Sequence, residues 1–258
     1  MEQEIKRKPE TEPSVASRVR MIATLAEGDE AQLARSVGRY LSDRSPRVRV
    51  AALDAVREGE LRQMDTEVRN LLKDKSRSVR FSAVECLGAL HEGDAVAASW
   101  LYPLLRDPFY LVRIETLESL VQIGDRAALP LIVEKLNDDN ALVRAYAARS
   151  IADLHGSKFV TAIERASKVE GDERAKVGFS YALFALGEES QLPRLLKFLA
   201  SADYHVRCAA ANSLSAADLT PVQLRAVLEA LSYAALHALA VADRSTIERV
   251  EKELREKA

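Results

Sequence analysis

The residues of this 258-residue chain best able to hold a metal or attack a substrate are four histidines and two cysteines. A metal site needs three or more His, Cys or carboxylate ligands converging on one point. His91 is followed by Glu92, whereas His155, similarly placed further on, is followed by Gly156. One His-Glu pair at a helix end supplies too few ligands for a metal site. Imidazoles interacting with C-terminal helix carbonyls are the simpler expectation for both. His205 and His237 lack a ligand-spaced partner. Cys86, beside Leu87, reads as a small core hydrophobe, and nothing around Cys208 marks it as a nucleophile. A Gly-rich phosphate loop and a Gly-x-Ser-x-Gly elbow are both missing from the sequence. These residues predict no catalytic group, no metal and no cofactor.

The arginines show more order. Val19-Arg20, Val48-Arg49, Val79-Arg80, Val112-Arg113, Val143-Arg144 and Val206-Arg207 recur along the chain, with Ala175-Lys176 as a degenerate member. These marks repeat at an interval of roughly 31 residues, and a nearly fixed period of that size is the signature of a solenoid. An aspartate stands six residues before four of these arginines, in Asp43/Arg49, Asp74/Arg80, Asp107/Arg113 and Asp138/Arg144. Glu170/Lys176 and Ser201/Arg207 depart from that pattern, so the stack is expected to loosen or bend after about residue 157. A planar guanidinium can bond a carboxylate and a turn carbonyl at once, and an arginine row for phosphates is the functional alternative.

The elements that must position these residues are helices. Counting each valine as zero, positions four, five and eight are apolar or small, as in Ala83, Val84, Leu87 and in Ala147, Ala148, Ile151. That spacing turns one stripe of a helix inward. Gly28-Asp29, Gly59, Gly93-Asp94, Gly124-Asp125, Gly156 and Gly187 follow as helix stops. A second helix of about 10–14 residues fills each remaining gap, for example Ala127–Leu136 or Glu188–Leu199, with Pro130 or Pro193 in its first turn. The result is an all-α solenoid of about seven hairpins over residues 14–219, because one hairpin cannot bury its own faces. Residues 1–13, with Lys6-Arg7-Lys8 and two prolines, read as a disordered tail. Residues 220–258 read as C-terminal helices capping the array. A break with an N-cap is expected at Asp243–Thr246, followed by an Ile247, Val250, Leu254 stripe.

Paired helices with an early proline, Asp in the turn and Val-Arg opening the second helix resemble HEAT repeats. The D-x-x-x-x-V-R-x-x-A-x-x-x-L pattern is most similar to the phycobilisome-lyase-like HEAT subgroup, over about Ser14 to Ala217. The resemblance implies a ladder between adjacent units through Asp43, Arg49, Asp74, Arg80, Asp107, Arg113, Asp138, Arg144 and Arg207. It also implies that the second helices line a concave groove. Position six there gives Leu25, Asp54, Glu85, Glu118, Arg149, Tyr181 and Asn212; position three adds Glu115 and Tyr146, and position ten adds Glu58 and Asp153. HEAT-like deoxyhypusine hydroxylases bind two irons through several His-Glu pairs, of which this chain has one. HEAT-like alkylpurine DNA glycosylases use a basic concave face, whereas Trp100 is expected on the convex side and this groove is acidic.

Composition bounds what remains. Lys+Arg 37 against Asp+Glu 39 gives a net charge of -2, which speaks against a nucleic-acid binder. Two cysteines cannot build a disulfide framework, so a cytoplasmic protein is expected. No apolar run is long enough for a membrane helix, and no signal peptide is recognisable. The expected function is a non-catalytic scaffold or adaptor that binds a protein partner bearing a basic segment. A phycobilin-lyase-like enzyme or tetrapyrrole chaperone is the alternative that the resemblance brings, self-association stays open, and nucleic-acid binding ranks last.

Overall fold

The structure, a computed structural model, describes residues 13–28, 30–238 and 241–256. The tail expected over residues 1–13 lies outside them, apart from Pro13. The described residues form fifteen α-helices and no strand. In chain order these are α1 (Val15–Ala26), α2 (Glu30–Leu41), α3 (Pro46–Glu58), α4 (Asp65–Leu71), α5 (Arg77–Leu90), α6 (Ala95–Leu101), α7 (Tyr110–Ile123) and α8 (Leu129–Glu134). There follow α9 (Ala141–Asp153), α10 (Val160–Val169), α11 (Glu173–Ala185), α12 (Leu192–Phe198), α13 (Tyr204–Ala216), α14 (Pro221–His237) and α15 (Val241–Glu256). The chain divides into two compact units, one ending at Leu90 and the other beginning at His91. None of the helices among the described residues is long and apolar enough to cross a membrane.

In the first unit, α1, α3 and α5 are the arginine-bearing helices. Val48, Ala52 and Val56 of α3 and Val79, Ala83 and Leu87 of α5 are fully buried between neighbours. In the second unit α7, α9, α11 and α13 repeat the arrangement. Small residues at position four, Thr116, Ala147 and Ala210, admit close neighbours there, with Phe179 the exception. The junction of α9 with α11 is tighter still. A Cβ on Gly178 would fall 2.7 Å from both the Cβ and the carbonyl oxygen of Ala145. The loosening expected after residue 157 is therefore not found at this junction.

The first helices α4, α6, α8 and α12 are shorter than the sequence suggests, whereas α2 and α10 reach the expected length. The α8 hairpin arm is a 3₁₀ turn (Arg126–Ala128), six α residues and a second 3₁₀ turn (Lys135–Asn137). Pro130 and Pro193 occupy the first turns of α8 and α12, where a missing N–H is tolerated. The stops differ at two places. Left-handed backbone occurs at Gly93, Gly124 and Gly187, but also at Glu60 and His155 rather than at the adjacent Gly59 and Gly156. Those two glycines meet a different demand, close approach: a Cβ on Gly156 would lie 2.7 Å from Ile151 Cγ2, and one on Gly59 2.9 Å from Leu33 Cδ2.

At the C-terminus, Thr220 and Gln223 form a reciprocal capping box that starts α14. The break expected at Asp243–Thr246 is absent, since α15 runs continuously through it. Burial decides this: Ile247, Val250 and Leu254 join Val227 and Leu231 of α14 and Leu214 of α13 in one core, which outweighs local capping preference.

Candidate functional site

The arginine ladder has a recurring geometry. At Arg49, Arg113 and Arg144 the guanidinium donates one bond to a carbonyl of its own turn and another to the carboxylate of the next. Arg49 bonds Asp43 O at 2.7 Å and Asp74 Oδ1 at 2.8 Å. Arg113 bonds Asp107 O at 2.9 Å and both Asp138 and Asp139 at 2.6 Å. Arg80 bonds Asp74 O at 2.8 Å. The aspartate six residues upstream thus contributes its carbonyl. Its carboxylate accepts an N–H two residues on and, at Asp43, Asp74 and Asp138, serves the preceding arginine. Asp43 accepts in this way from Ser45, Asp138 from Asn140 and Asp107 from Phe109.

Two departures in sequence resolve differently. Arg144 bonds Asp138 O at 2.9 Å and grips Glu170 with Nε at 2.6 Å and Nη2 at 2.8 Å. Glu170 also accepts the Asp172 N–H at 2.8 Å, so the longer acid takes over the carboxylate role of the aspartate. Bonding by Arg144 holds the Glu170 carboxyl below its ordinary pKa against the opposing effect of burial. At the next turn Lys176 reaches only Gly171 O, at 3.2 Å, while Ser201 donates to Glu173 at 2.8 Å. Arg207 keeps its turn carbonyls, including Ala202 O at 3.0 Å. The first mark is corrected in register. Arg18, not Arg20, bonds Pro13 O and lies 2.8 Å from Asp43, so it is Arg18 that keeps the interval of the later arginines.

On the face left open by the second helices, the first unit carries Asp54, Glu58 and Glu85. They are not a purely acidic strip. Arg57 pairs with Glu85 and lies 3.6 Å from Asp54. The Asp54 carboxyl is still raised above its usual pKa, first by burial and further by Glu85 and Glu58, with Arg57 opposing. Leu25 is half-buried on α1.

The second unit brings Glu115, Glu118, Tyr146, Arg149 and Asp153 together on α7 and α9. Packed surroundings raise the Glu118 carboxyl above its usual pKa although the side chain still reaches solvent, and Arg149 only partly offsets this. Burial and the neighbouring Glu118 push up the Tyr146 phenol, which is half-buried. Arg149 lies 3.4 Å from Asp153 and over the Tyr181 ring at 5.1 Å. Tyr181 is not the exposed anchor expected from its position: it is 4% exposed, and its hydroxyl donates to Asp153 at 3.0 Å. The close fit of α11 on α9 at Gly178 draws the ring beneath Arg149, and burial with Asp153 pushes its pKa up to about 12. Asn212 is exposed at the edge of this face and accepts from Arg249 of α15 at 2.7 Å.

Among the described residues no group of three or more His, Cys, Asp or Glu side chains is placed to hold a metal ion. His91 is buried, 3.5 Å from Asp94 and edge-on to Trp100 at 5.6 Å. His155 is exposed in a left-handed conformation. Burial pushes the Cys86 thiol up to about 12, which leaves it unreactive.

Two family models match the chain, one for HEAT repeats over residues 98–177 and one for a single HEAT repeat over residues 66–93. Those stretches carry HEAT repeats. No curated protein sequence matches the chain. Its HEAT fold is similar to a chain in the complex of CpcE and CpcF of phycocyanin lyase from Nostoc sp., with TM-score 0.63, 17% identity, and coverage of 86% of this chain and 94% of that one. Human deoxyhypusine hydroxylase in complex with glycerol superposes with TM-score 0.39, 18% identity, and 96% and 93% coverage. The first likeness speaks to fold alone and the second carries no argument.

Within the HEAT pattern three polar residues escaped sequence reading. Arg18 follows from holding the repeat interval strictly. Glu170 follows from looking forward from Arg144 into the next turn instead of back from Lys176. Arg57 stands nine residues after Val48, where the other units place Gly88, Val121 and Ala152, and a charge at that small or apolar position was its signal.

Proposed function

We propose that this HEAT array is a non-catalytic scaffold or adaptor that takes a basic segment of a protein partner on its second-helix face. One observation carries the reading: Glu115, Glu118, Asp153, Tyr146 and Arg149 share the face of α7 and α9, and the Glu118 carboxylate is held there, open to solvent, at a desolvation cost that Arg149 only partly offsets. Accessible carboxylates destabilised by their surroundings mark functional positions, and an incoming Lys or Arg would relieve the cost. Asp54 shows the same property in the first unit. Tyr146 and Arg149 have the chemistry of anchors, whereas the acids chiefly steer association. The two free cysteines, one buried and one half-buried, support a reducing compartment such as the cytoplasm.

The test begins with affinity capture from the native source and continues with binding kinetics at two salt concentrations. Glu115→Lys with Glu118→Lys should slow association and weaken its salt dependence. Tyr146→Ala and Arg149→Ala should speed dissociation about tenfold, the equivalent of about 1.4 kcal/mol. Parent-like kinetics in every variant would overturn the assignment. A second reading, a lyase-type enzyme or a tetrapyrrole chaperone, draws only on the fold shared with the phycocyanin lyase chain. Visible absorbance that co-purifies with the protein, or pigment transfer to an acceptor, would favour it over the scaffold.

A further inference from the structure

A helix near the end of a solenoid should turn a polar face outward. Helix α14 does not. Its inward residues Val227, Leu231 and Ala234 pack in one core with Ile247, Val250 and Leu254 of α15. On the opposite side Val222 is 78% exposed, Tyr233 64% and Leu236 79%. Ala226 and Glu229 are exposed between them. Positions 222, 226, 229, 233 and 236 alternate steps of four and three residues, so they form one stripe along the helix, the spacing with which one helix seats on another.

Two features of the stripe point to its occupant. Tyr233 is already held in place: its ring stacks on His237 at 4.1 Å, and the Tyr233 carbonyl oxygen lies 2.7 Å from His237 Nδ1. A fixed aromatic loses little freedom on contact and serves as a rigid anchor. Glu229 lies within the stripe and Arg225 beside it one turn earlier, both exposed, and neither forms an ion pair among the described residues. Arg placed N-terminal to Glu is the weaker order for pairing within a helix. The two opposite charges therefore remain for a surface that presents the same pair in reverse.

We propose that a second copy of this chain supplies that surface, with the two α14 helices antiparallel about a two-fold axis. Setting Arg225 opposite Glu229 of the second copy sets Glu229 opposite its Arg225 by symmetry, an isologous contact. In the same register Tyr233 falls against Pro221 and Val222 of the second copy, once at each end. Apolar contacts at both ends thus enclose two crossed ion pairs at the centre. One helix face is smaller than the roughly 800 Å² per partner of a standard interface, so the dimer depends on concentration.

Sedimentation velocity of the full chain over a dilution series tests this. The parent should pass from monomer to dimer with rising concentration. Val222→Glu should remain monomeric with unchanged helical circular dichroism and melting no lower than the parent's, since the side chain is exposed and an acid suits the first turn of a helix. Arg225→Glu and Glu229→Arg should each weaken dimerisation about tenfold or more, and the double exchange should restore it, because crossed pairs survive a swap of both charges. A parent that stays monomeric up to about 1 mM overturns the proposal. So does a dimer indifferent to Val222→Glu, or a double exchange no better than the single ones. These outcomes do not depend on the partner-binding face of α7 and α9, whose variants are read by different kinetics.

Discussion

Arg113→Ala tests the ladder at a buried ion pair. The residue is 7% exposed, and its side chain bonds Asp107 O, Asp138 and Asp139. Asp139 is 87% exposed on its side chain, so that bond contributes less than about 1 kcal/mol. The Asp138 side chain is 5% exposed, and removing one partner of a buried pair costs about 3–5 kcal/mol. Part of this is recovered, because Asp138 keeps the Asn140 N–H at 3.0 Å and Lys135 at 3.8 Å. Loss of the bond to the Asp107 carbonyl adds about 1 kcal/mol. The net expectation is a loss of about 3 kcal/mol in urea unfolding, with amide exchange rising first where α7 meets α9. Arg113→Lys should recover less than half, since an ammonium cannot span the carbonyl and the carboxylate together. A loss below about 0.5 kcal/mol would refute the reasoning, because a desolvated carboxylate cannot lose its counterion so cheaply.

Three further outcomes are expected. Gly178→Ala gains up to about 1 kcal/mol of helix propensity but forces a methyl onto Ala145 at 2.7 Å, so overpacking of about 1–3 kcal/mol should win and lower the melting temperature, and Ala145→Gly in the same chain should not restore it, because the Ala145 carbonyl oxygen and Cα stand at 2.7 and 2.8 Å as well. Glu170 has a folded pKa below its usual 4.5, so its stabilising effect is complete above that value and is lost as pH falls through the folded pKa; the stability gap between the parent and Glu170→Gln, read by urea melts, should therefore close on acidification from about pH 5 downward. His155 holds φ 54°, a left-handed conformation that glycine adopts without strain, so His155→Gly should stabilise the chain by about 0.5–1 kcal/mol in thermal or urea melts.

The repeat was legible because burial imposes a period. Val48, Val79, Val112, Val143 and Val206 are all fully buried, and a buried helix stripe can be written only at helical spacing. Turn acids and arginines were legible for a similar reason, since each must lie at a fixed offset from a helix start. The direction of their bonds was not. Asp43 and Arg49 read as a pair, yet the carboxylate of Asp43 serves Arg18 and that of Asp74 serves Arg49. A bond between units has no local spacing that distinguishes it from one within a unit.

The candidate face shows where sequence stops. Position six along a second helix named Glu118, Arg149 and Tyr181 alike, because helix geometry alone gives them one direction. Tertiary packing then separated them: α11 sits so close to α9 at Gly178 that Tyr181 is covered and bonded to Asp153, while Tyr146 and Arg149 stay partly open. The same holds at the C-terminus, where Asp243–Thr246 offered a local break and α15 ran through it to bury Ile247. Sequence by itself determined the all-α repeat, its interval and its buried stripe, because those follow from the periodicity of a single helix. Which side chain meets solvent, which acid meets which arginine, and that the outward stripe of α14 stays bare were decided only by the tertiary structure, because each depends on how closely a second helix approaches.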